Sequence, residues 1–272
     1  MTKTHLELLP TKLSPSRAKE FVNCPKKFFH KTIERRREPN TVENTRGTIA
    51  HDALEQLYRL PKGDRTVDTA VGFIKPAWDK IKGQDTYKHL DTEEQAAEML
   101  AFAEECVRNF FTIEDPTRFD PTGIEFHAKA VLDTGLTLHG YIDRMDEVPA
   151  GEGARTYLSD YKTSSRIPSP RYLTDTFFAM RIYALLIREM TGEAPYALRL
   201  VFIKHTGQEA VRTEYVTDDM LDRTRREVDS IWTRIQAAAA KEEWPAKTGP
   251  LCNWCHFQPE CPDGMKMKKG RR

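Results

Sequence analysis

The sequence predicts a mixed α/β chain, a small sheet flanked by helices. Three observations predict it. Helical periodicity runs through the first 112 residues, short alternating apolar and polar segments follow Asp115, and a helix, a strand and a helix return beyond residue 174. In the first part, Ser14 can cap a helix with Pro15 in its first turn, ending near Asn23 where Cys24-Pro25 interrupts it. Residues 41–60 read as a loop carrying Gly47 and then a helix, with Ile49, Ala53, Leu54, Leu57 and Tyr58 at helical spacing. His51 and Glu55 are four apart and share one face of that helix. Helical hints continue around 71–81, and residues 91–112 form a second strong helix pattern. Asp115-Pro116 and Asp120-Pro121 are turn signals that mark the change. Strands are then expected over 124–132, 136–146 and 156–161, with Gly135 and residues 151–153 as turns. A helix over 174–191, a strand over 196–204 and a helix over 218–242 complete the order.

Composition narrows the function classes. The 272 residues carry 42 Lys and Arg against 41 Asp and Glu, with 39% hydrophobic and 10% aromatic residues. Glycine and proline, 14 and 16, are too few for a collagen-like or low-complexity chain. The longest apolar stretch, 177–187, is eleven residues and contains Arg181, so no membrane span is expected. The first residues lack an apolar signal-like run, and a cytoplasmic location is expected. Charge is uneven: residues 266–272 are basic without an acid, and 17–38 hold eight basic residues against three acids. Such clusters suit a polyanion partner, although charge alone favours a solvated helix face and a disordered basic tail over 266–272.

Of the five cysteines, Cys252, Cys255 and Cys261 fall within ten residues. CxxC puts two thiolates on one tight turn, and a third six residues later can close over the same point. In a reducing compartment this spacing serves a metal or an iron–sulfur centre. A fourth ligand is needed, with Cys24 the first candidate and His256 the alternative in a Cys₃His zinc site. Cys106 lies in a helical pattern and reads as a small core residue.

The catalytic candidates end apolar strand patterns: Gly140-Tyr141-Ile142-Asp143-Arg144 and Leu158-Ser159-Asp160-Tyr161-Lys162-Thr163. Asp160 and Lys162 are two apart on a strand and point to one face, while Tyr161 faces away and leaves its carbonyl available. Carboxylates hold a hard divalent cation, and a lysine beside them can orient water or stabilise charge near a phosphate. An acid–lysine pair on a strand is, by itself, more often an exposed ion pair. The upstream Asp143 and the helical His51 turn the reading towards a metal site.

Five pieces recur in order: Leu13-Ser14-Pro15-Ser16 with Cys24-Pro25, Arg46-Gly47-Thr48-Ile49-Ala50-His51, Gly140 to Arg144, Asp160-Tyr161-Lys162-Thr163, and Cys252-x-x-Cys255-x5-Cys261. Together they resemble the PD-(D/E)xK nuclease superfamily, in its RecB-like exonuclease branch with an iron–sulfur cluster. That branch includes the CRISPR-associated RecB-like nucleases and the nuclease domains of bacterial recombination helicases. The resemblance implies a restriction-endonuclease-like core with a helical N-terminal part, and an iron–sulfur module joining the two ends of one nuclease domain over 1–265. It implies that His51, Asp143, Asp160 and the Tyr161 carbonyl bind Mg²⁺ or Mn²⁺. Asp143, Asp160, Lys162 and Tyr183 become the catalytic set. It implies a four-iron four-sulfur cluster on Cys24, Cys252, Cys255 and Cys261. The activity implied is a metal-dependent exonuclease on single-stranded DNA or DNA ends, in recombination, repair or phage DNA processing, with an oligomer or a helicase as partner. One position departs from the pattern: Ala179 stands where the family carries a Gln, four residues before Tyr183. It motivates the alternative of a nuclease-fold DNA-binding or partner subunit with weak or no cleavage. Phe28, Phe29, Tyr172 and Trp254 could stack on bases, with core packing the expectation for each. Glu125, on the first strand of the meander, could help at the metal or equally be a surface residue, and it is not counted in the site.

Overall fold

The computed structural model describes residues 3–151 and 153–269. In chain order its helices and strands are β1 (Lys12–Leu13), α1 (Pro15–Asn23), α2 (Pro25–Phe28), α3 (Val42–Tyr58), α4 (Val67–Gly72), α5 (Ile74–Ile81), α6 (Glu93–Ile113), β2 (Gly123–Val131), β3 (Thr137–Ala150), β4 (Gly153–Lys162), α7 (Pro170–Thr191), β5 (Ala197–Phe202), β6 (Val211–Tyr215), α8 (Asp218–Lys241) and α9 (Pro262–Lys269). A π-helical turn follows α2 at Phe29–Ile33. Residues pack into two compact units: 1–38, 129–140 and 219–272 form the first, and 39–128 with 141–218 form the second.

The second unit carries the mixed sheet. β3 runs antiparallel to β4 with Arg144 opposite Ser159, β4 runs parallel to β5 with Asp160 opposite Leu200, and β5 runs antiparallel to β6. β2 pairs with β3. Two parallel strands cannot be joined by a tight turn, and α7 supplies the crossover between β4 and β5. Helices α3 to α6 close over the sheet in one apolar core. Ile49, Leu54 and Leu57 of α3 and Val107 and Phe110 of α6 meet Tyr161 and Val201 of the strands there. The helices begin where side chains satisfy their first N–H groups: Thr41, Thr66 and Thr92 accept from Asn44, Thr69 and Gln95. Gly192, at φ 81°, ends α7 in the left-handed conformation.

The first unit is knitted by aromatic rings. Trp244 stacks on Phe28 at 5.7 Å and meets Phe21 edge-on, while His30 stacks on Phe257 at 4.9 Å. Arg36 lies over Phe257 and forks onto Glu260, at 2.8 and 2.6 Å. β1 pairs in parallel with the start of β3.

Three expectations change. The loop expected around Gly47 is helix, because Thr41 caps α3 well before it. α7 starts at Pro170 rather than 174, with proline in its first turn, where its missing N–H costs nothing. α9 continues to Lys269, so the basic tail begins inside a helix, and residues 270–272 lie outside the described ones. β6 and α9 had no distinct sequence signal.

Candidate active site and cysteine cavity

Four elements of the second unit converge on one open cleft of about 880 Å³. Helix α3 contributes His51, β2 contributes Glu125, β3 contributes Asp143, and β4 contributes Lys162 at its end. The close approach of α3 to β4 depends on Gly47: a Cβ there would stand 3.0 Å from the Thr163 hydroxyl. The β3–β4 register continues from Arg144 and Ser159 to set Asp143 beside Asp160. Asp143 Oδ2 accepts the Tyr161 N–H at 2.7 Å and lies 3.3 Å from His51 Nδ1. Asp160 and Lys162, on one face of β4, form an ion pair, but Asp160 Oδ2 has no aligned hydrogen bond although it is buried.

Among the described residues, His51, Glu125 and Asp143 form the one group of three possible ligands whose atoms lie within 4.8 Å of one another. Asp160 is held by Lys162 instead of joining that trio. The electrostatics are those of carboxylates gathered in a partly buried cleft. Burial pushes the Asp143 carboxyl up, His51 opposes the shift, and the charge of Asp160 adds to it. Glu125 is pushed up to about 7 by burial first and then by the charge of Asp143. Two or more buried carboxylates facing one another are costly, and a hard divalent cation removes the cost. Tyr183 of α7 is raised by burial and then by Asp160, Asp143 and Glu125, so the same charges reach it.

Glu125, which the sequence leaves between a metal role and the surface, lines the cleft. Its backbone sits in the left-handed region at φ 45°, rare for a residue with a side chain and costing about 1–3 kcal/mol. Its carboxylate lies in the cleft, grouped with His51 and Asp143, and period-two alternation along β2 cannot reveal the backbone turn.

Behind the strand lies a second charged cluster. Arg144 follows Asp143 and therefore points to the opposite face of β3. It is fully buried. Its guanidinium donates to Asp146 at 2.9 Å, to the Tyr58 hydroxyl at 2.6 Å and to the Tyr161 hydroxyl at 2.9 Å, and pairs with Glu114 at 2.7 Å. Glu114 also pairs with Arg199. Burial pushes Glu114 up, but Arg144 and Arg199 outweigh it and hold the carboxyl low. Asp146 stays raised, because burial outweighs Arg144 there. Tyr161 thus joins the two clusters: its N–H holds Asp143 and its hydroxyl holds Arg144.

In the first unit, Cys24, Cys252, Cys255 and Cys261 line one cavity of about 30 Å³ with Phe257 and Gly264. The Gly264 N–H points at Cys261 Sγ, 3.3 Å away. No disulfide joins any of them. Among the described residues, no three of these sulfurs lie within 4.8 Å of one another. Cys106 is apart, buried in the core of the second unit, where burial pushes its thiol up to about 12.

The family model described as the PD-(D/E)XK nuclease superfamily matches residues 12–262. The fold is similar to the crystal structure of a candidate exonuclease from Eubacterium rectale, with a TM-score of 0.58, 14% identity, and 94% of this chain and 93% of that one covered. No curated protein sequence matches the chain significantly. Among the described residues no helix is long and apolar enough to cross a membrane.

Proposed function

The chain belongs to the PD-(D/E)XK nuclease superfamily, and from that premise we propose that it is a divalent-metal-dependent DNA exonuclease acting on single strands or ends. The observation that carries this reading is the grouping of His51, Glu125 and Asp143 beside the Asp160–Lys162 pair in an open cleft. Oxygen donors with one imidazole suit Mg²⁺ or Mn²⁺. His51, Asp143, Asp160 and the Tyr161 carbonyl would hold the ion, and Glu125 is close enough to add a ligand. Such an ion would supply Lewis-acid polarisation of a phosphoryl oxygen and make a bound water more acidic. Lys162, tethered by Asp160, would orient that water and stabilise charge developing on the phosphate. Tyr183 would support the group from α7. Recombination, repair and phage DNA processing all suit the activity, with a helicase or a second copy as partner.

We also propose that the four cysteines hold a four-iron four-sulfur cluster with a structural role, in keeping with a reducing cytoplasm. Thiolates round one zinc, at about 2.3 Å, would stand about 3.8 Å apart. Among the described residues no three of these sulfurs lie that close, and the reading rests on the cysteine spacing and the shared cavity. Anaerobically purified protein should contain iron and acid-labile sulfide, and Cys255→Ser should lose most of both; zinc without iron would sink this assignment.

The test of the nuclease reading is cleavage of end-labelled single-stranded DNA in Mg²⁺, Mn²⁺ and EDTA, wild type against Lys162→Ala. Metal-dependent cleavage that disappears in the variant is expected. Cleavage unchanged in Lys162→Ala would remove the assignment. Binding without cleavage by the wild type would favour the DNA-binding subunit that Ala179 motivates.

A further inference from the structure

Beside the cysteine cavity, and sharing Cys24, Cys252 and Cys255 with it, the first unit carries a larger cavity of about 380 Å³ whose wall includes Lys19, Lys27, Lys247, Leu251 and Trp254. Trp254 is 76% exposed and Leu251 61% exposed, whereas Trp78 and Trp244 are buried. Leaving an indole in water forgoes the burial of a large apolar ring. Nothing in the packing of the first unit requires it, because Phe21, Phe28 and Trp244 already form the aromatic core there. The residue is nevertheless held in place. It ends a short 3₁₀ turn, Pro250–Trp254, fixed by the Cys252 N–H on the Gly249 carbonyl and the Cys255 N–H on the Cys252 carbonyl.

The charge around it is mostly positive, three lysines against one carboxylate. Lys27 is paired with Glu38 and Lys247 donates to the Val22 carbonyl, but an ammonium group has three donors and each keeps others for a ligand. The one carboxylate in the wall, Glu20, is already paired with Lys31. A flat exposed ring beside three ammonium groups complements a polymer with π faces and phosphates. Stacking within a duplex hides those faces, and unpaired bases offer them.

We propose that this cavity binds single-stranded DNA, one base stacking on Trp254 with its flanking phosphates on Lys19, Lys27 and Lys247. The proposal rests on the reading of the substrate as DNA. A second copy of the chain fits less well, since it would bring the same positive surface against itself.

The test is fluorescence anisotropy of a labelled oligothymidylate in EDTA, where nothing is cleaved, with wild type, Trp254→Ala and Trp254→Phe. Circular dichroism and iron content confirm that the variants fold. Trp254→Ala is expected to weaken binding about tenfold, within the ~1–3 kcal/mol of one base–aromatic stack. Trp254→Phe should recover most of it, and quenching of tryptophan emission on binding should shrink in both variants. Wild-type binding with unchanged affinity in Trp254→Ala would overturn this proposal and leave the nuclease reading intact. A change of oligomeric state at constant DNA affinity would overturn it in favour of a second copy. No binding and no cleavage by the wild type would overturn both readings together.

Discussion

Arg144→Leu should destabilise the second unit by about 3–5 kcal/mol, the range for removing one partner from a buried ionic set. The guanidinium is fully buried and serves Asp146, Glu114, Tyr58 and Tyr161 at once. Without it, Asp146 loses its cation, Glu114 keeps only Arg199, and two hydroxyls lose a donor. The pH dependence gives the result a sign. Loss of Arg144 raises both carboxyl groups in the folded state, so the folded variant binds more protons than the wild type. Stability of the variant should therefore fall as pH rises through the carboxylate range, and the penalty should be largest near neutrality and shrink on acidification. Urea midpoints at pH 7 and pH 5 measure both effects. An equal penalty at the two values would mean that lost packing dominates and that the charges of Glu114 and Asp146 are unimportant.

Asp143→Asn should lower cleavage by about 10³-fold or more, the several kcal/mol that a catalytic cation supplies when one ligand charge is removed. In the metal-free protein the same change should raise the melting temperature at pH 8. The Asp143 carboxyl is raised in the folded state by burial, opposed by His51 and reinforced by Asp160. A raised carboxyl destabilises the fold wherever the group is ionised, and the effect vanishes below its ordinary titration range. Asparagine keeps the shape and the acceptor for the Tyr161 N–H while removing the charge. Activity lost together with stability gained separates a site held in tension from one needed for folding. A variant that loses both would place Asp143 among the structural residues.

The parts of this architecture visible in the sequence are those set by local physics. Threonine and serine caps, the periodicity of α3 and α6, and the turns at Gly135 and Gly151 depend on near neighbours, and the corresponding elements lie within a few residues of expectation. The relation of Asp160 to Lys162 was equally legible, since alternation along a strand fixes it. Other features depend on distant segments. Gly47 reads as a loop glycine because its sequence neighbours do not include Thr163, whose hydroxyl would stand only 3.0 Å from a Cβ there. Glu125 reads as a metal helper or a surface acid with nothing local to decide between them, because its left-handed backbone belongs to the folded chain. Arg144, next to an expected ligand, gave no hint that it would be the most completely buried charge. Its partners come from residues 58, 114, 146 and 161, and only tertiary structure brings them together.

The division of the chain into two units has a consequence for its biosynthesis. Every residue of the second unit has been made once Asp218 is added, whereas the first unit draws on residues beyond 218, among them three of its four cavity-lining cysteines. At about 5–20 residues per second, the stretch from 219 to Cys261 takes roughly 2–9 s to translate. During that interval the cleft residues can already assemble, while Cys24 waits as a solitary thiol for Cys252, Cys255 and Cys261. A ribosome stalled in this window would hold a chain in which every residue of the second unit has been made and three of the first unit's four cavity-lining cysteines have not.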